Sequence, residues 1–197
     1  MNRNAYLAGI IWLSIIAIFS CFWIANSLIH GTDFNEFVSF PKLVVIDGIS
    51  VLLCEIILLI YFHAKKYKIT FAFSLLSTIT FLVLFTTVYL FYNGIGTGVF
   101  INLIVTIHLL AVTMFSLTLM SSKASDRPLL KTAGNLGAIA GFIILLTHVV
   151  GVYMPEGATL DLIININMWV GRLGGLIVIF YILNFYQEMK QKQTFGV

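Results

Sequence analysis

Five ionisable side chains lie inside stretches of sequence that are otherwise almost entirely apolar. They are Asp47, Glu55, His108, His148 and Arg172. An ionisable group within a lipid bilayer is energetically unfavourable, so it usually faces the interior of a helix bundle and marks a site that handles ions, protons or ligands. These residues are therefore the candidates for chemistry in this chain.

Glu55 and Arg172 are each the only fully charged side chain near the centre of an apolar stretch. At about 1.5 Å per helical residue, Glu55 lies about 18–20 Å from the outer end of its helix, and Arg172 about 16–18 Å from the outer end of its own. A lone buried charge is far less favourable than a pair, so we expect these two residues to form an ion pair. Asp47, one to two turns closer to the outside, is the competing partner for Arg172.

The helix that contains Arg172 also carries a polar stripe. Its members recur at steps of three and four residues and share one face: Asp161, Asn165, Met168, Arg172 and Gly175. Two interpretations of the buried charges stay open. They either lock two helices together as a structural ion pair, or they form an ion or proton relay or a clamp for an anionic ligand group.

The two histidines come from successive helices that run in opposite directions. His108 lies about seven to nine residues from the outer end of its helix, and His148 about six or seven from the outer end of the next. Both imidazoles are therefore expected in the outer half of the membrane at similar depth. Two axial ligands of one haem iron require this arrangement. The pair predicts a b-type haem site, in which Arg172 offsets the charge of a propionate or a quinone oxygen.

The surroundings of the histidines leave other interpretations open. His148 shares a helical stripe with Gly137, Gly141 and Gly151, and small residues on one face allow close helix packing as readily as they admit a flat ring. His108 lies on an apolar face, which suits a haem pocket better than a water-filled pore. The alternatives are isolated, hydrogen-bonded structural histidines and a pair that handles protons or a metal ion.

The composition indicates the class of protein that contains these residues. Hydrophobic residues make up 60% of the 197 residues and charged residues 10%, whereas a soluble domain has about 45–50% and about 25%. This balance predicts an integral membrane protein. The net charge of +3 comes from several short basic clusters, which give no indication of nucleic-acid binding.

Six windows are long and apolar enough to cross a bilayer, which takes about 20 residues each. We predict transmembrane helices at about 5–29, 43–63, 69–92, 99–120, 133–154 and 160–186. Only short polar segments separate these windows. Residues 1–197 are therefore expected to form a single all-α domain, a bundle of six transmembrane helices within the lipid bilayer.

Basic residues outside the predicted helices fall mostly on one side of the bundle. That side holds Arg3, Lys65, Lys66, Lys68, Lys123, Arg127, Lys131, Lys190 and Lys192, while the other holds Asp33, Glu36, Glu156 and Asp161 with Lys42 as the basic exception. By the positive-inside rule, the N- and C-termini are predicted to face the cytoplasm. A multi-pass protein of the bacterial inner membrane fits this pattern.

Sequence motifs of several enzyme classes are absent. The chain has no Walker sequence, no dinucleotide-binding glycine pattern, no HExxH and no GxSxG. Hydrolytic or ATP-driven chemistry is therefore not expected. Because the connecting segments are short, we expect function within the bilayer, or through another membrane subunit or a second copy of the chain.

Three hypotheses about function follow from these residues. The first is a redox or electron-transfer subunit that holds haem b between His108 and His148. The second is a small transporter or channel for an ion, proton or small solute, in which Arg172 and the acids Asp47 and Glu55 line the path. The third is a structural subunit of a membrane complex, without a site of its own.

Overall fold

The computed structural model describes residues 3–30, 41–92, 98–153 and 157–195. These residues form helices and turns, and none of them is in a β-strand. Seven α-helices and one 3-10 segment follow one another along the described residues: α1 Arg3–His30, α2 Pro41–Ala64, α3 Lys68–Tyr92, α4 Gly98–Ser121, the 3-10 segment Lys123–Asp126, α5 Pro128–Tyr153, α6 Ala158–Gly175 and α7 Val178–Phe195.

Among the described residues, five helical segments are long and apolar enough to cross a membrane. They are Arg3–Ile29, Lys68–Thr87, Gly98–Ser121, Pro128–Tyr153 and Thr159–Gln191. The last combines α6 and α7, and the described apolar part of α2, Gly48–Ala64, is shorter. The all-helical fold predicted from the sequence is confirmed, and the five segments are consistent with a multi-pass membrane protein. The count of six spans and the side of the termini stay predictions.

Consecutive helices pack side by side and close a ring. α1 packs against α2, α2 against α3, α3 against α4, and α4 against α5. α5 then contacts both α6 and α7, and these two pack back onto α1. Large apolar side chains remain exposed on the outside of the ring, among them Ile18, Phe142 and Leu162. An apolar surface this extensive suits contact with lipid tails.

The tightest core lies at the end of the ring where α1 begins and α2 ends. Tyr6, Tyr61, Phe62 and Phe185 are fully buried there. The ring centroid of Tyr61 lies 4.8 Å from that of Phe185 and 5.2 Å from that of Phe62. Aromatic pairs at such separations contribute stability beyond the area they bury. This core fixes α1, α2 and α7 relative to one another.

The contact between α4 and α5 depends on glycines. A Cβ atom on Gly134 would lie 2.8 Å from the carbonyl oxygen of Ser116. On Gly137 and Gly141 it would lie 2.6 Å from the hydroxyl oxygens of Ser116 and Thr113, respectively. At Gly137 and Gly141, α4 occupies the glycine face of α5. Close helix packing is one of the two interpretations of this stripe, and it is confirmed at these two positions.

Replacing Gly134 with alanine is expected to destabilise the protein. The methyl group would overlap the Ser116 carbonyl oxygen, which belongs to the backbone and has no rotamer to escape to. Overpacking of this kind lowers the free energy of unfolding by about 1–3 kcal/mol, and we expect a clash with the backbone to lie at the upper end of that range. This loss exceeds the roughly 1 kcal/mol that alanine gains over glycine in a helix. Thermal unfolding of the purified protein in detergent measures the loss.

Gly98→Ala is the matched control, because a Cβ atom at Gly98 would meet nothing within 4 Å. If both variants unfold at the same temperature, the α4–α5 contact does not require a glycine at position 134.

Candidate functional site

Arg172 lines a pocket of about 220 Å³ between three helices. The walls come from α1, α2 and α6: Ile16, Ser20, Trp23, Val51, Gly171, Arg172 and Gly175. α1 and α6 approach each other closely here, because a Cβ atom on Gly175 would overlap the hydroxyl oxygen of Ser20. A guanidinium group in a small, otherwise mostly apolar pocket has the donors to hold an anionic group with strong, directional hydrogen bonds.

The helix that carries Arg172 ends three residues later. α6 stops at Gly175, α7 starts at Val178, and the main-chain N–H groups of residues 176, 177, 179 and 180 each bond to the carbonyl three residues before, at 3.0–3.1 Å. This tighter 3-10 pattern interrupts the α-helix. The interruption falls inside the continuous apolar segment Thr159–Gln191. The pocket and the break are therefore at the same place in the bundle.

Glu55 faces α3. Ser77 Oγ donates a hydrogen bond to Glu55 Oε1 at 3.0 Å. The Thr78 hydroxyl lies beside the carboxyl group but donates to the Ser74 carbonyl at 2.9 Å. The other oxygen, Oε2, is buried and has no hydrogen-bond partner among the described residues. Glu55 thus holds a buried carboxyl group whose neighbours are the neutral hydroxyls of Ser77 and Thr78.

The ion pair predicted between Glu55 and Arg172 is not among the ion pairs of the described residues. The predicted similarity in depth does not specify which neighbour each side chain faces. Val51 of α2 lines the Arg172 pocket, whereas Glu55, one turn further along α2, is turned to Ser77. Asp47 lies on α2, but its side chain is outside the described residues, so its proposed pairing with Arg172 stays a prediction.

His108 points from α4 towards α3. Its Nδ1 lies 3.1 Å from Thr80 Oγ1, and its ring lies 5.5 Å from that of Phe81. The Thr80 hydroxyl donates to the main-chain carbonyls of Leu76 and Ser77, each at 2.9 Å. Because that proton is already used, we assign the Nδ1–H of His108 as the donor to Thr80.

His148 points from α5 towards α4. Its Nε2 lies 3.3 Å from the main-chain carbonyl oxygen of Asn102. Because a carbonyl oxygen can only accept a hydrogen bond, this contact requires a proton on Nε2. The two imidazoles are therefore directed at different neighbours, and this geometry adds no support for a shared haem iron. Among the described residues, no group of three or more His, Cys, Asp and Glu side chains is arranged to hold a metal ion. Haem ligation by His108 and His148 stays a prediction.

Glu188 is the most highly connected carboxylate of the described residues, and the sequence interpretation missed it. The hydroxyls of Tyr6 and Tyr61 donate to its two oxygens at 2.7 Å each, and Lys65 forms an ion pair with it. Arg127 approaches to 4.0 Å. Burial alone would lower the pKa of Arg127, but the charge of Glu188 raises it overall. These five residues, the Glu188 cluster, join α1, α2, α7 and the connection between α4 and α5.

A sequence signal for Glu188 exists, although it is short. Tyr181, Asn184, Phe185 and Glu188 recur at i, i+3, i+4 and i+7, the spacing of one buried helix face, and all four are buried. The polar run around Glu188 is instead typical of a solvated helix end, which hid the stripe. Tyr61 lies near the end of an apolar window, a position that is typical of an interfacial aromatic belt rather than of a polar cluster.

Tyr61→Phe is expected to destabilise the protein by about 1–3 kcal/mol, the cost of leaving buried polar groups unsatisfied. The Tyr61 hydroxyl donates to Glu188 and accepts from Asn184 Nδ2 at 2.9 Å, so both partners would lose a hydrogen bond. Thermal unfolding in detergent is the measurement. Tyr186→Phe removes the same atom from an exposed ring and should leave the midpoint unchanged; equal loss in both variants would contradict a stabilising role for this cluster.

Arg172, which lines the pocket, and the buried carboxyl groups of Glu55 and Glu188 are thus the charged groups that the geometry singles out. Comparison of the chain with protein-family models, with curated proteins and with solved structures finds no match in any of the three.

Proposed function

We propose that this chain is a transporter of small anions in the bacterial inner membrane, built from six membrane-spanning helices with both termini in the cytoplasm. The observation that carries the proposal is the position of Arg172, which lines a pocket beside a break in its own helix. The proposal belongs to the second of the three hypotheses drawn from the sequence.

The proposed topology places Arg172 near the middle of the bilayer. Asp161 and Arg172 are eleven residues apart, or about 16 Å along a helix, which is half of the roughly 30 Å hydrocarbon core. By the same measure Glu188 lies about 40 Å from Asp161, beyond the core and level with the basic residues Lys65 and Arg127. The predicted cytoplasmic side therefore agrees with the charges that surround Glu188.

Interrupted helices near the middle of the membrane support transport rather than a purely structural role. Secondary transporters form substrate and ion sites at such interruptions. The junction at Leu176 and Ile177, with Gly174 and Gly175 before it, is a short 3-10 interruption of this span and lies beside a cavity.

The chemistry of the pocket favours a small anion. Arginine keeps its charge at every physiological pH and presents a planar set of donors that matches carboxylate and other oxyanions. The volume of about 220 Å³ is below the roughly 300–1,000 Å³ of pockets for drug-sized ligands. We therefore propose anions of a few non-hydrogen atoms rather than lipids or cofactors.

The other two hypotheses have less geometric support but are directly testable. A haem-binding subunit would absorb near the Soret region when purified from cells supplied with haem, and a colourless preparation would end that hypothesis. A structural subunit would bind and move no anion, so the transport assay below also separates it from the proposal.

Arg172→Gln is expected to reduce anion flux at least about tenfold, since a charge-assisted contact contributes roughly 1.5–3 kcal/mol. The measurement is the initial rate of uptake of chloride, nitrate and methanesulfonate into proteoliposomes. These anions of strong acids do not cross lipid as neutral acids. Arg172→Lys keeps the charge without the planar donors and should give an intermediate rate.

Lys123→Gln is the matched control, because it removes one positive charge from an exposed position. Variants are compared only where they elute from size-exclusion chromatography as the wild type does. Unchanged flux in Arg172→Gln, or wild-type flux no greater than that of empty liposomes for all three anions, would contradict the proposed function.

A further inference from the structure

Glu55 combines burial with an incomplete set of hydrogen bonds. Its Oε1 accepts from Ser77 at 3.0 Å, while its buried Oε2 has no hydrogen-bond partner among the described residues. A carboxylate in water is solvated on both oxygens, and burial without replacement partners is unfavourable. A proton on Oε2 removes the charge that lacks solvation, so the geometry leaves a place for a proton on this oxygen.

Other titratable groups are present around Glu55, but none of them pairs with it. Cys54 is its neighbour on α2 and is buried. Among the described residues of α1 and α3, the helices that flank α2, no charged side chain contacts the carboxyl group. His108 of α4 lies behind α3, bonded to Thr80. Val51, one turn before Glu55 on α2, lines the Arg172 pocket.

We propose that Glu55 binds the proton that accompanies an anion through the Arg172 pocket. This inference rests on the proposed function and names its coupling ion. A proton from one aqueous side adds to the carboxylate to give a neutral carboxyl group, and the same O–H bond breaks when the proton leaves to the other side. No electron is transferred, and the loaded protein carries one anion and one proton.

The coupling is electrostatic. An anion in the Arg172 pocket adds a negative charge about one helical turn from Glu55, and a nearby negative charge favours the neutral, protonated form of a carboxyl group. By thermodynamic reciprocity the proton strengthens anion binding by the same factor, on the order of tenfold for couplings of this kind. Moving anion and proton together also avoids carrying a net charge through hydrocarbon.

His108 is the competing proton acceptor, and it contacts the same turn of α3 from the other side. Ser77 donates to Glu55, and the Ser77 carbonyl accepts from Thr80, whose oxygen lies 3.1 Å from His108 Nδ1. Glu55 has the oxygen without a partner, so it is the residue we assign. His108→Gln then serves as the variant that tells the two acceptors apart.

The first measurement is infrared spectroscopy of the purified protein, which does not depend on transport. Wild type should show the carbonyl stretch of a buried protonated carboxyl group, and Glu55→Gln should lack it. Asp126→Asn, which removes a carboxylate from an exposed position, should retain the band. A spectrum of wild type without this band at every pH at which the protein stays folded would overturn the proposal.

The second measurement is proton-coupled uptake of chloride, nitrate and methanesulfonate into proteoliposomes that contain a pH-sensitive dye. An acidic exterior should speed wild-type anion uptake at least about tenfold over equal pH, with protons entering alongside. Glu55→Gln should lose this stimulation and the proton signal, whereas Asp126→Asn should keep both. His108→Gln should keep the stimulation.

The outcomes separate the two levels of the proposal. Persistent pH stimulation in Glu55→Gln, or its loss in His108→Gln alone, overturns the role of Glu55 while anion transport stands. Absence of anion flux and exchange in wild type overturns the proposed function itself, and the coupling with it.

Discussion

The hydrocarbon of a bilayer offers no hydrogen-bond partner, so the polar groups that this chain places there are expected to find partners within the protein. Most of its hydroxyl groups do so locally. Ser14, Thr106 and Thr113, for example, each donate to the carbonyl four residues before, at 2.7 Å. Those local hydrogen bonds do not link one helix to another. The few polar groups that reach across to another helix therefore decide how the helices are rotated against one another.

Those interhelical contacts divide the bundle into two regions of different character. Near the start of α1, an aromatic core and a fully hydrogen-bonded Glu188 hold three helices and one connection together. Deeper in the bundle the contacts are sparser. Glu55 has one donor, His148 has one carbonyl, and Asn167 ties α6 to α5 through Ile144 O and Thr147 Oγ1 at 3.3 and 3.1 Å.

The junction between α6 and α7 lies between these two regions. α7 is held by Glu188, whereas α6 carries Arg172 and the wall of the pocket. A 3-10 turn has poorer hydrogen-bond geometry than an α-helix, and mid-helix stretches of it often act as hinges. The 3-10 turn therefore joins α7, which is held by Glu188, to α6, which carries the Arg172 pocket.

The sequence by itself determined that the chain is helical and apolar enough for a multi-pass membrane protein, and it drew attention to the ionisable residues within the apolar windows. Apolar length and charge content are sums over residues, so they can be read without knowing which residues are neighbours in space. The predicted depths of Glu55, Arg172, His108 and His148 come from counting residues, and Arg172 does line a pocket. Tertiary structure alone decided which of these residues meet, because depth does not specify rotation about the helix axis. In this structure Glu55 faces Ser77, and the imidazoles of His108 and His148 face different helices. Glu188 is buried, although it lies in a polar stretch of sequence that is typical of a solvated helix end.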